Sequence, residues 1–247
     1  MVNVHIHHFA STGDVVDAEA LRVFQAQWSI YQKLVDTDVL SHREVSRILH
    51  RVLSERFPVP FCFLDIACGD ASLAKAALAG TPIRRYHGID LAGPAIELAA
   101  ANLAGEPYEV DLDHRDFVAA MAERPEQADA VWCGLSLHHL ATDQKLRLIE
   151  EVRGVTGDAG VFLLYEPTLG EGEDRKDYLD RTRQIIANRW NSLTPEELKQ
   201  IWHHIETSDL PEPAETWLDL GRRAGFSHAV QVFADPTNLY RMFRYEP

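Results

Sequence analysis

The chain contains 247 residues, with 38 acidic and 24 basic side chains, and its formal net charge is −14 at pH 7. This negative charge argues against nucleic acid as a partner, because binding to a phosphate backbone depends on Lys and Arg. No apolar run approaches the roughly 18 residues of a membrane span, and the first residues do not resemble a secretory leader. With only three cysteines, we expect a cytoplasmic protein with no membrane partner, either a monomer or a homodimer.

The first residues of the chain contain a small histidine cluster. His5, His7 and His8 are close enough in sequence to bind a metal weakly. A frayed terminus explains the cluster better, because the ends of most domains are poorly ordered. We predict no bound metal anywhere in the chain.

Residues 1–57 are predicted to form an N-terminal helical cap on the rest of the chain. Large apolar side chains follow one another at helical spacing, at Leu21, Phe24, Trp28 and Tyr31. Ser41 followed by Glu44 has the spacing of a capping box and predicts a further helix over residues 43–56. The prolines of residues 57–60 end this helix and introduce the first core strand.

The first two predicted core strands each end near a carboxylate. Residues 61–66 form an apolar run that contains Asp65, and residues 86–89 form a second run that ends at Asp90. A parallel strand that is buried on both faces requires such a nearly continuous apolar run. A carboxylate at the end of the second strand can accept hydrogen bonds from both hydroxyls of a ribose. We interpret the pair as a nucleoside-binding βαβ unit.

The turn between these strands, residues 67–72, favours S-adenosylmethionine over a dinucleotide. Only one position of the G-x-G-x-x-G dinucleotide fingerprint is filled, by Gly69. Asp70 lies at the start of the next helix, where its charge would repel the pyrophosphate of a dinucleotide. The same carboxylate tolerates an ammonium or a sulfonium group. A nicotinamide-dependent dehydrogenase is therefore the least favoured function.

Four motifs resemble, in the same order, those of the class I S-adenosylmethionine-dependent methyltransferases, and the resemblance extends over residues 58–247. They are Asp65-Ile66-Ala67-Cys68-Gly69-Asp70-Ala71, Asp90-Leu91, Asp116-Phe117 and the strand and loop of residues 129–140. Two glycines of the family's first motif are replaced here, by Ala67 and Ala71. The resemblance implies a Rossmann-like α/β fold, doubly wound around a mostly parallel seven-stranded sheet, with an antiparallel final strand.

The resemblance also implies roles for residues at the ends of the strands. Asp90 would hold the ribose, while Asp116 and Phe117 would contact the adenine. Asp111 and Asp113 compete with Asp116 for that role, and a carboxylate at the start of a helix would look the same.

The N-terminal cap supplies further candidate cofactor contacts, because aromatic faces suit a sulfonium. The full set of expected cofactor residues is Asp65, Ala67, Cys68, Gly69, Asp70, Asp90, Leu91, Asp116, Phe117, Gly134, Leu135, Tyr31, Trp28 and His42.

Alternating strands and helices predict the remaining core. We expect strands at residues 108–112, 130–134, 161–165, 227–233 and 238–244, with helices at 70–79, from 93 and at 142–153. A helical insertion is expected over residues 168–212. Its second helix begins at a capping box, Thr194 to Glu197, with Pro195 at the first helical position. The insertion leaves the carboxyl edge of the sheet, so we expect it to roof the acceptor pocket.

Candidate catalytic residues follow two of the predicted strands. His138 and His139 lie in the loop after the fourth strand, and an imidazole there could accept a proton from the methyl acceptor. Tyr165 and Glu166, at the end of the fifth strand, are comparable candidates.

We predict methyl transfer from S-adenosylmethionine to an oxygen or nitrogen of a small-molecule acceptor, by in-line displacement. Two alternatives stay open at this stage. An enzyme that makes a carboxylated derivative of S-adenosylmethionine would need a cationic side chain, such as Arg183 or Arg189, to bind the extra carboxylate. A non-catalytic module that binds S-adenosylmethionine is the other alternative.

Overall fold

A central sheet organises the chain in the computed structural model, which describes residues 4–8, 28–123 and 126–247. Within these ranges the sheet has nine strands in the order β1-β4-β3-β2-β5-β6-β9-β8, and β7 pairs with β6. The strands are β1 (Val4–His8), β2 (Phe61–Ile66), β3 (Ile83–Asp90), β4 (Glu109–His114), β5 (Ala128–Gly134), β6 (Thr156–Leu169), β7 (Glu212–Pro213), β8 (His228–Ala234) and β9 (Tyr240–Glu246). Among the strands of the described ranges, the β6–β9 and β8–β9 pairs alone are antiparallel.

Helices cover both faces of the sheet. Those described are α1 (residues 28–36), α2 (His42–Arg56), α3 (Ser72–Leu78), α4 (Gly93–Leu103), α5 (Phe117–Ala122), α6 (Thr142–Val155), α7 (Arg175–Arg189), α8 (Pro195–Ser208) and α9 (Ala214–Arg223). In these parts of the chain, no helix is long and apolar enough to cross a bilayer.

The order of the strands places a crevice at the carboxyl ends of β2 and β5. From β2 the chain continues to β3 on one side, whereas β5 and β6 extend the sheet on the other side. Such a reversal of strand order is where open α/β sheets bind their ligands. Neighbouring residues of β2 face opposite sides, so Phe63 joins one hydrophobic cluster and Leu64 the other. This explains the continuous apolar run, because both faces of the strand are buried.

The seven strands expected from the sequence are all present, and two more are added. One of these additions corrects the expectation of a frayed terminus at His5, His7 and His8. Residues Val4–His8 instead pair in parallel with β4 and form one edge of the sheet. Residues 1–57 as a helical cap stay a prediction, although this first strand belongs to the core sheet.

The other additional strand, β7, pairs with β6 at the base of the insertion. Glu212 and Pro213 pair with Thr168 and Leu169, so the segment that leaves β6 returns beside its own starting point. Within the insertion the predicted capping box is confirmed. Thr194 accepts from the backbone N–H of Glu197, and the carboxylate of Glu197 accepts from the backbone N–H of Thr194.

The capping box expected at Ser41 and Glu44 is wrong. Ser41 has a positive φ of 55°, and its side chain makes no cap hydrogen bond. Instead, Asp38 accepts a hydrogen bond from the backbone N–H of Arg43. The carboxylate of Asp38 therefore supplies the hydrogen bond to the first turn of α2 that was expected from Ser41. The predicted helical residues Leu21 and Phe24 lie outside the described residues.

We expect the central strand β6 to dominate stability. Leu163 is fully buried between β5 and β9. Leu163→Ala leaves a cavity and should lower the free energy of unfolding by about 2–5 kcal/mol in denaturant titrations. Val230→Ala, on the half-exposed outer strand β8, should cost less than about 1 kcal/mol. Equal losses in the two variants would contradict this account of the core.

Candidate active site

A cavity of about 220 Å³ lies at the crevice between β2 and β5. The loop after β2, the end of β3, the loop after β5 and the N-terminal cap all contribute to its walls. The lining residues are Trp28, Tyr31, His42, Asp65, Ala67, Cys68, Gly69, Asp70, Ser72, Leu73, Ala74, Asp90, Trp132, Gly134, Leu135, Ser136 and Tyr165. Eleven of the fourteen expected cofactor residues are therefore brought together here.

The loop after β2 is shaped by alternating left-handed residues. Ala67, Gly69 and Ala71 have φ values of 58°, 56° and 59°. The left-handed conformation costs an L-residue other than glycine roughly 1–2 kcal/mol. The two alanines that replace glycines of the motif thus keep a conformation that glycine would adopt without strain. A Cβ on Gly69 would meet no atom within 4 Å, so this glycine leaves open space along the cavity wall.

Asp90 is anchored from two sides at the end of β3. One carboxylate oxygen accepts from the backbone N–H of Gly69 at 2.8 Å, and the other accepts from that of Ala92 at 2.8 Å. Burial raises the pKa of this carboxyl, and the two backbone donors oppose the shift. Each oxygen keeps a second lone pair, which leaves acceptor capacity toward the cavity. The residue is therefore preorganised to bind hydroxyl donors.

Asp65 is a second carboxyl at this cavity, and it is almost completely buried. The hydroxyl of Tyr86 donates to it at 2.7 Å. Burial raises the pKa of Asp65 to about 8, against the opposing effect of the Tyr86 hydrogen bond, and the charges of Asp90 and Asp70 add to the rise. A cationic ligand in the cavity would favour the ionised form and reverse the shift.

The N-terminal cap contributes an aromatic wall. The rings of Trp28 and Tyr31 lie 5.4 Å apart, and those of Tyr31 and His42 lie 5.7 Å apart. Burial lowers the pKa of His42 to about 4, so this imidazole is neutral at pH 7. A neutral, aromatic wall opposite Asp65 suits a ligand that carries positive charge.

Three of the predicted cofactor residues do not line this cavity. Leu91 is 65% exposed, and Phe117 packs against the hydrophobic cluster under α5. Asp116 caps α5 by accepting from the backbone N–H of Ala119 at 2.9 Å. Its competitor Asp113 contacts His87. Contact of these residues with an adenine ring stays a prediction.

A second, larger cavity of about 730 Å³ adjoins the first and shares Tyr31 and Leu135 with it. We call it the acceptor chamber. The cap, the loop after β5, the end of β6 and the insertion surround it. Its walls are formed by Ile30, Tyr31, Leu34, Leu40, Leu135, His138, His139, Pro167, Tyr178, Thr182, Trp190, Gln200, Ile201, His203, His204, Ile205, Thr207, Ser208, Asp209 and Tyr240. An ion pair between Lys33 and Glu197, with N and O 2.6 Å apart, joins the cap to the insertion beside it.

His138 and Glu166 form a buried pair at the floor of the acceptor chamber. Nδ1 of His138 lies 2.7 Å from a carboxylate oxygen of Glu166. Burial alone would lower the pKa of His138, but the hydrogen bond and the charge of Glu166 outweigh it, and the pKa is raised. Glu166 also accepts from the backbone N–H groups of Ser136 and Leu137. The carboxylate therefore fixes both the imidazole and the loop that carries it.

Three further side chains gather around His138. We define the histidine–aspartate cluster as His138, His139, His204 and Asp209. The rings of His138 and His139 lie 4.1 Å apart, and those of His139 and His204 lie 5.1 Å apart. Burial, followed by the neighbouring imidazoles, lowers the pKa of His139 to about 3, while burial raises that of Asp209.

Of the four predicted catalytic residues, only the two histidines present side chains to the acceptor chamber. Tyr165 lines the smaller cavity, but its hydroxyl donates to the carbonyl oxygen of Leu40 at 3.0 Å. Burial raises the pKa of this phenol well above its usual value. Glu166 acts on the chamber through His138. Catalytic roles for all four residues stay predictions.

Sequence reasoning missed His204 and Asp209. Both lie in the insertion, about 65 residues beyond His138, and no spacing motif connects them to the loop after β5. One sequence feature could have indicated these two residues. Polar residues are frequent at the end of α8, where the apolar stripe of Ile201 and Ile205 ends. A histidine on a surface helix is too common for that signal to indicate a site.

Residues 63–160 match the family model described as a methyltransferase domain. This match covers 98 of the 247 residues and makes that segment similar to methyltransferase domains. The cofactor of this family is S-adenosylmethionine, and the acidic cavity with its aromatic wall has the donor and acceptor groups that such a cofactor requires. No curated protein matches the chain by sequence.

Solved structures of methyltransferases share the fold. CalO1, a methyltransferase in calicheamicin biosynthesis with S-adenosylhomocysteine bound, is 16% identical, with a TM-score of 0.59; the match covers 94% of this chain and 58% of that one. Human N-acetylserotonin methyltransferase in complex with S-adenosylmethionine is 19% identical, with a TM-score of 0.55 and coverages of 94% and 60%. The cyclopropane synthase MmaA2 from Mycobacterium tuberculosis is 16% identical, with a TM-score of 0.52 and coverages of 75% and 62%. The chain thus spans about three fifths of the length of these structures.

Asp90→Asn should weaken the binding of S-adenosylmethionine to the methyltransferase domain by about 10- to 100-fold, because it removes charge-assisted hydrogen bonds. Asp116→Asn is the matched control, since asparagine also caps helices and residue 116 lies outside the cavity. Titration calorimetry on the two variants measures the difference. An equal loss for Asp116→Asn would instead support the predicted adenine contact.

Binding of S-adenosylmethionine should release a proton from Asp65. At pH 6.5 this carboxyl is protonated in the free protein, since its pKa is about 8, and a cationic ligand favours its ionised form. An α-amino group titrates only near pH 7.7–8.0, so the ligand contributes little at pH 6.5. Calorimetry in two buffers with different ionisation enthalpies should show up to one proton released. Asp65→Asn should abolish the release; an unchanged value would exclude Asp65 as its source.

Proposed function

We propose that this protein transfers the methyl group of S-adenosylmethionine to an oxygen or nitrogen atom of a small-molecule acceptor. The observation that carries the proposal is the pair of adjoining cavities, a polar one at the end of the nucleoside-binding strands and a larger one beneath the insertion. Because Tyr31 and Leu135 line both cavities, a methyl donor held in the first would be a neighbour of an acceptor held in the second.

When bound, S-adenosylmethionine supplies an activated methyl electrophile. The chain then has two tasks, which are to align the acceptor with the methyl group and to exclude water. Alignment alone can contribute several kcal/mol to lowering the barrier. The cap and the insertion would serve the second task, since both contribute walls to the chamber and an ion pair between Lys33 and Glu197 joins them.

The chamber walls favour a particular class of acceptor. Aromatic and aliphatic side chains such as Tyr178, Trp190 and Ile201 form most of the surface, and polar groups are concentrated at the histidine–aspartate cluster. An acceptor with an aromatic or aliphatic body and one polar atom fits this distribution. The polar atom would lie toward the cluster, where the imidazoles can hold or receive its proton.

The carboxylated-cofactor alternative finds no support in the described residues. None of the described residues that line either cavity is a lysine or an arginine. Arg183 lies over the ring of Trp202 at 4.3 Å and pairs with Glu206, and Arg189 lines neither cavity. A carboxylate added to the cofactor would therefore meet acidic rather than cationic groups.

A screen with S-adenosylmethionine carrying a deuterated methyl group tests the proposal directly. Purified protein incubated with a library of aromatic and aliphatic alcohols, phenols and amines should form S-adenosylhomocysteine and a labelled product, measured by mass spectrometry. Tight cofactor binding with no product from any acceptor would favour a non-catalytic binding module.

Once an acceptor is found, Ile201→Trp should fill part of the acceptor chamber. We expect the KM for the acceptor to rise by about tenfold or more, because a bulky ring occupies space that the acceptor needs. The Kd for S-adenosylmethionine should change less than twofold. Lys199→Trp, on the exposed side of the same helix, is the matched control and should leave both constants unchanged. A larger effect on the cofactor than on the acceptor would contradict the assignment of the chamber.

A further inference from the structure

The carboxylate of Asp209 is buried without a hydrogen bond for one of its oxygens. Its Oδ1 atom is inaccessible to solvent and has no partner, and the residue is only 5% exposed. Leaving a charged acceptor buried and unpaired costs free energy. A ligand bound at this position would satisfy the atom.

Three imidazole nitrogens surround this oxygen at almost equal distances. Nε2 of His138 lies 3.7 Å away, while Nδ1 of His139 and Nε2 of His204 each lie 3.8 Å away. These distances are too long for hydrogen bonds. They are close to the edge of a tetrahedron whose arms are about 2.1 Å, which is about 3.4 Å. The ligand atoms of His138, His139 and Asp209 lie within 4.8 Å of one another, so side-chain movements would bring these three to one metal ion. His204 lies outside that set and would have to move farther to become the fourth ligand.

The surroundings orient these groups for a cation. Nδ1 of His138 lies 2.7 Å from the carboxylate of Glu166, and Nε2 of the same ring lies 3.7 Å from Oδ1 of Asp209, so Nε2 is the nitrogen that would bind a metal once it carries no proton. A carboxylate behind a ligating histidine is the usual second layer of a zinc site. One contact opposes ligation, since Nδ1 of His139 lies 3.4 Å from the carbonyl oxygen of Ser208. That long hydrogen bond would have to be exchanged for the metal.

Nearby cations are already paired. Lys145 donates to Glu212 at 2.9 Å, and Arg175 donates to the backbone carbonyl of Asp209 rather than to its carboxylate. The two carboxylates at the site, Glu166 and Asp209, therefore remain available to balance the charge of an ion.

We propose that the histidine–aspartate cluster binds one divalent cation of the zinc class. Three imidazoles and a carboxylate suit Zn²⁺, which takes four nitrogen, sulfur or oxygen ligands in tetrahedral geometry. Mg²⁺ and Ca²⁺ prefer six or more oxygen ligands and do not fit this set. The sequence did not predict the site, because its ligands come from two distant segments.

The ion would connect the core to the roof of the acceptor chamber. His138 and His139 follow β5, whereas His204 and Asp209 lie in and just after α8. An acceptor hydroxyl reaching the ion from the chamber could join as a fifth ligand and ionise more readily. That catalytic role rests on the proposed function, whereas the site itself does not.

Metal titration of the untagged, chelator-treated full chain tests the site without cofactor or acceptor. We expect one Zn²⁺ to bind with a submicromolar Kd and Mg²⁺ not to bind at millimolar concentration. Asp209→Asn and His204→Ala should each weaken Zn²⁺ binding by at least tenfold. Co²⁺ should give the strong visible absorption of a four-coordinate ion, lost in Asp209→Asn.

Two controls separate this site from adventitious binding. His228→Ala removes an exposed histidine that lines neither cavity and should leave the Kd unchanged. A variant lacking His5, His7 and His8 excludes the N-terminal histidines as the source. The proposal is overturned if Zn²⁺ does not bind, or if Asp209→Asn binds as tightly as the parent protein.

The proposed metal site and the proposed methyltransferase activity can each be contradicted without the other. Zn²⁺ binding without labelled product from any acceptor would leave the site standing and remove the proposed function. Labelled product formed at full rate by protein that does not bind Zn²⁺ would remove the metal site and leave the proposed function standing. If both hold, turnover of an alcohol or phenol should fall at least tenfold after chelation and return when Zn²⁺ is added.

Discussion

The buried carboxylate of Glu166 is the constraint on which both cavities depend. It is fully buried, and a charge in that position is tolerated only when hydrogen bonds surround it. Those bonds come from the loop after β5, through the backbone of Ser136 and Leu137 and the ring of His138. The loop is thereby held against the end of β6, between the cofactor cavity and the acceptor chamber. A mobile loop at this point would leave neither the methyl donor nor its acceptor in a fixed position.

The two sides of the site are built by different means. On the cofactor side, strand ends and a strained loop place backbone groups and two carboxyls, Asp65 and Asp90, around the cavity. On the acceptor side, helices of the cap and the insertion supply a mostly apolar surface. Rigid elements suit a cofactor whose structure is constant, whereas a helical roof can vary with the acceptor.

The core of the fold was predictable because its signal is local. Continuous apolar runs predicted β2, β3, β5 and β6, and Asp90 stands at the end of β3 as expected. The edge strand β1 was missed because its polar sequence, Val4–His8, becomes a strand only by pairing with β4. The capping box predicted at Ser41 was wrong because the carboxylate of Asp38 accepts the hydrogen bond from the backbone N–H of Arg43 instead. His204 and Asp209 could not be predicted, since tertiary packing alone brings them to His138.

The pairing of β7 with the end of β6 makes the insertion an exchangeable module. Its two ends, Leu169 and Glu212, are fixed beside each other on the sheet, so the segment between them forms a closed loop anchored at its base. The entropy cost of such a loop grows only slowly with its length. Evolution can therefore lengthen, shorten or replace the insertion while the core strands β2, β3 and β5 stay where they are. Under the proposed function, acceptor choice would diversify in this architecture without any change in the cavity at the ends of β2 and β3.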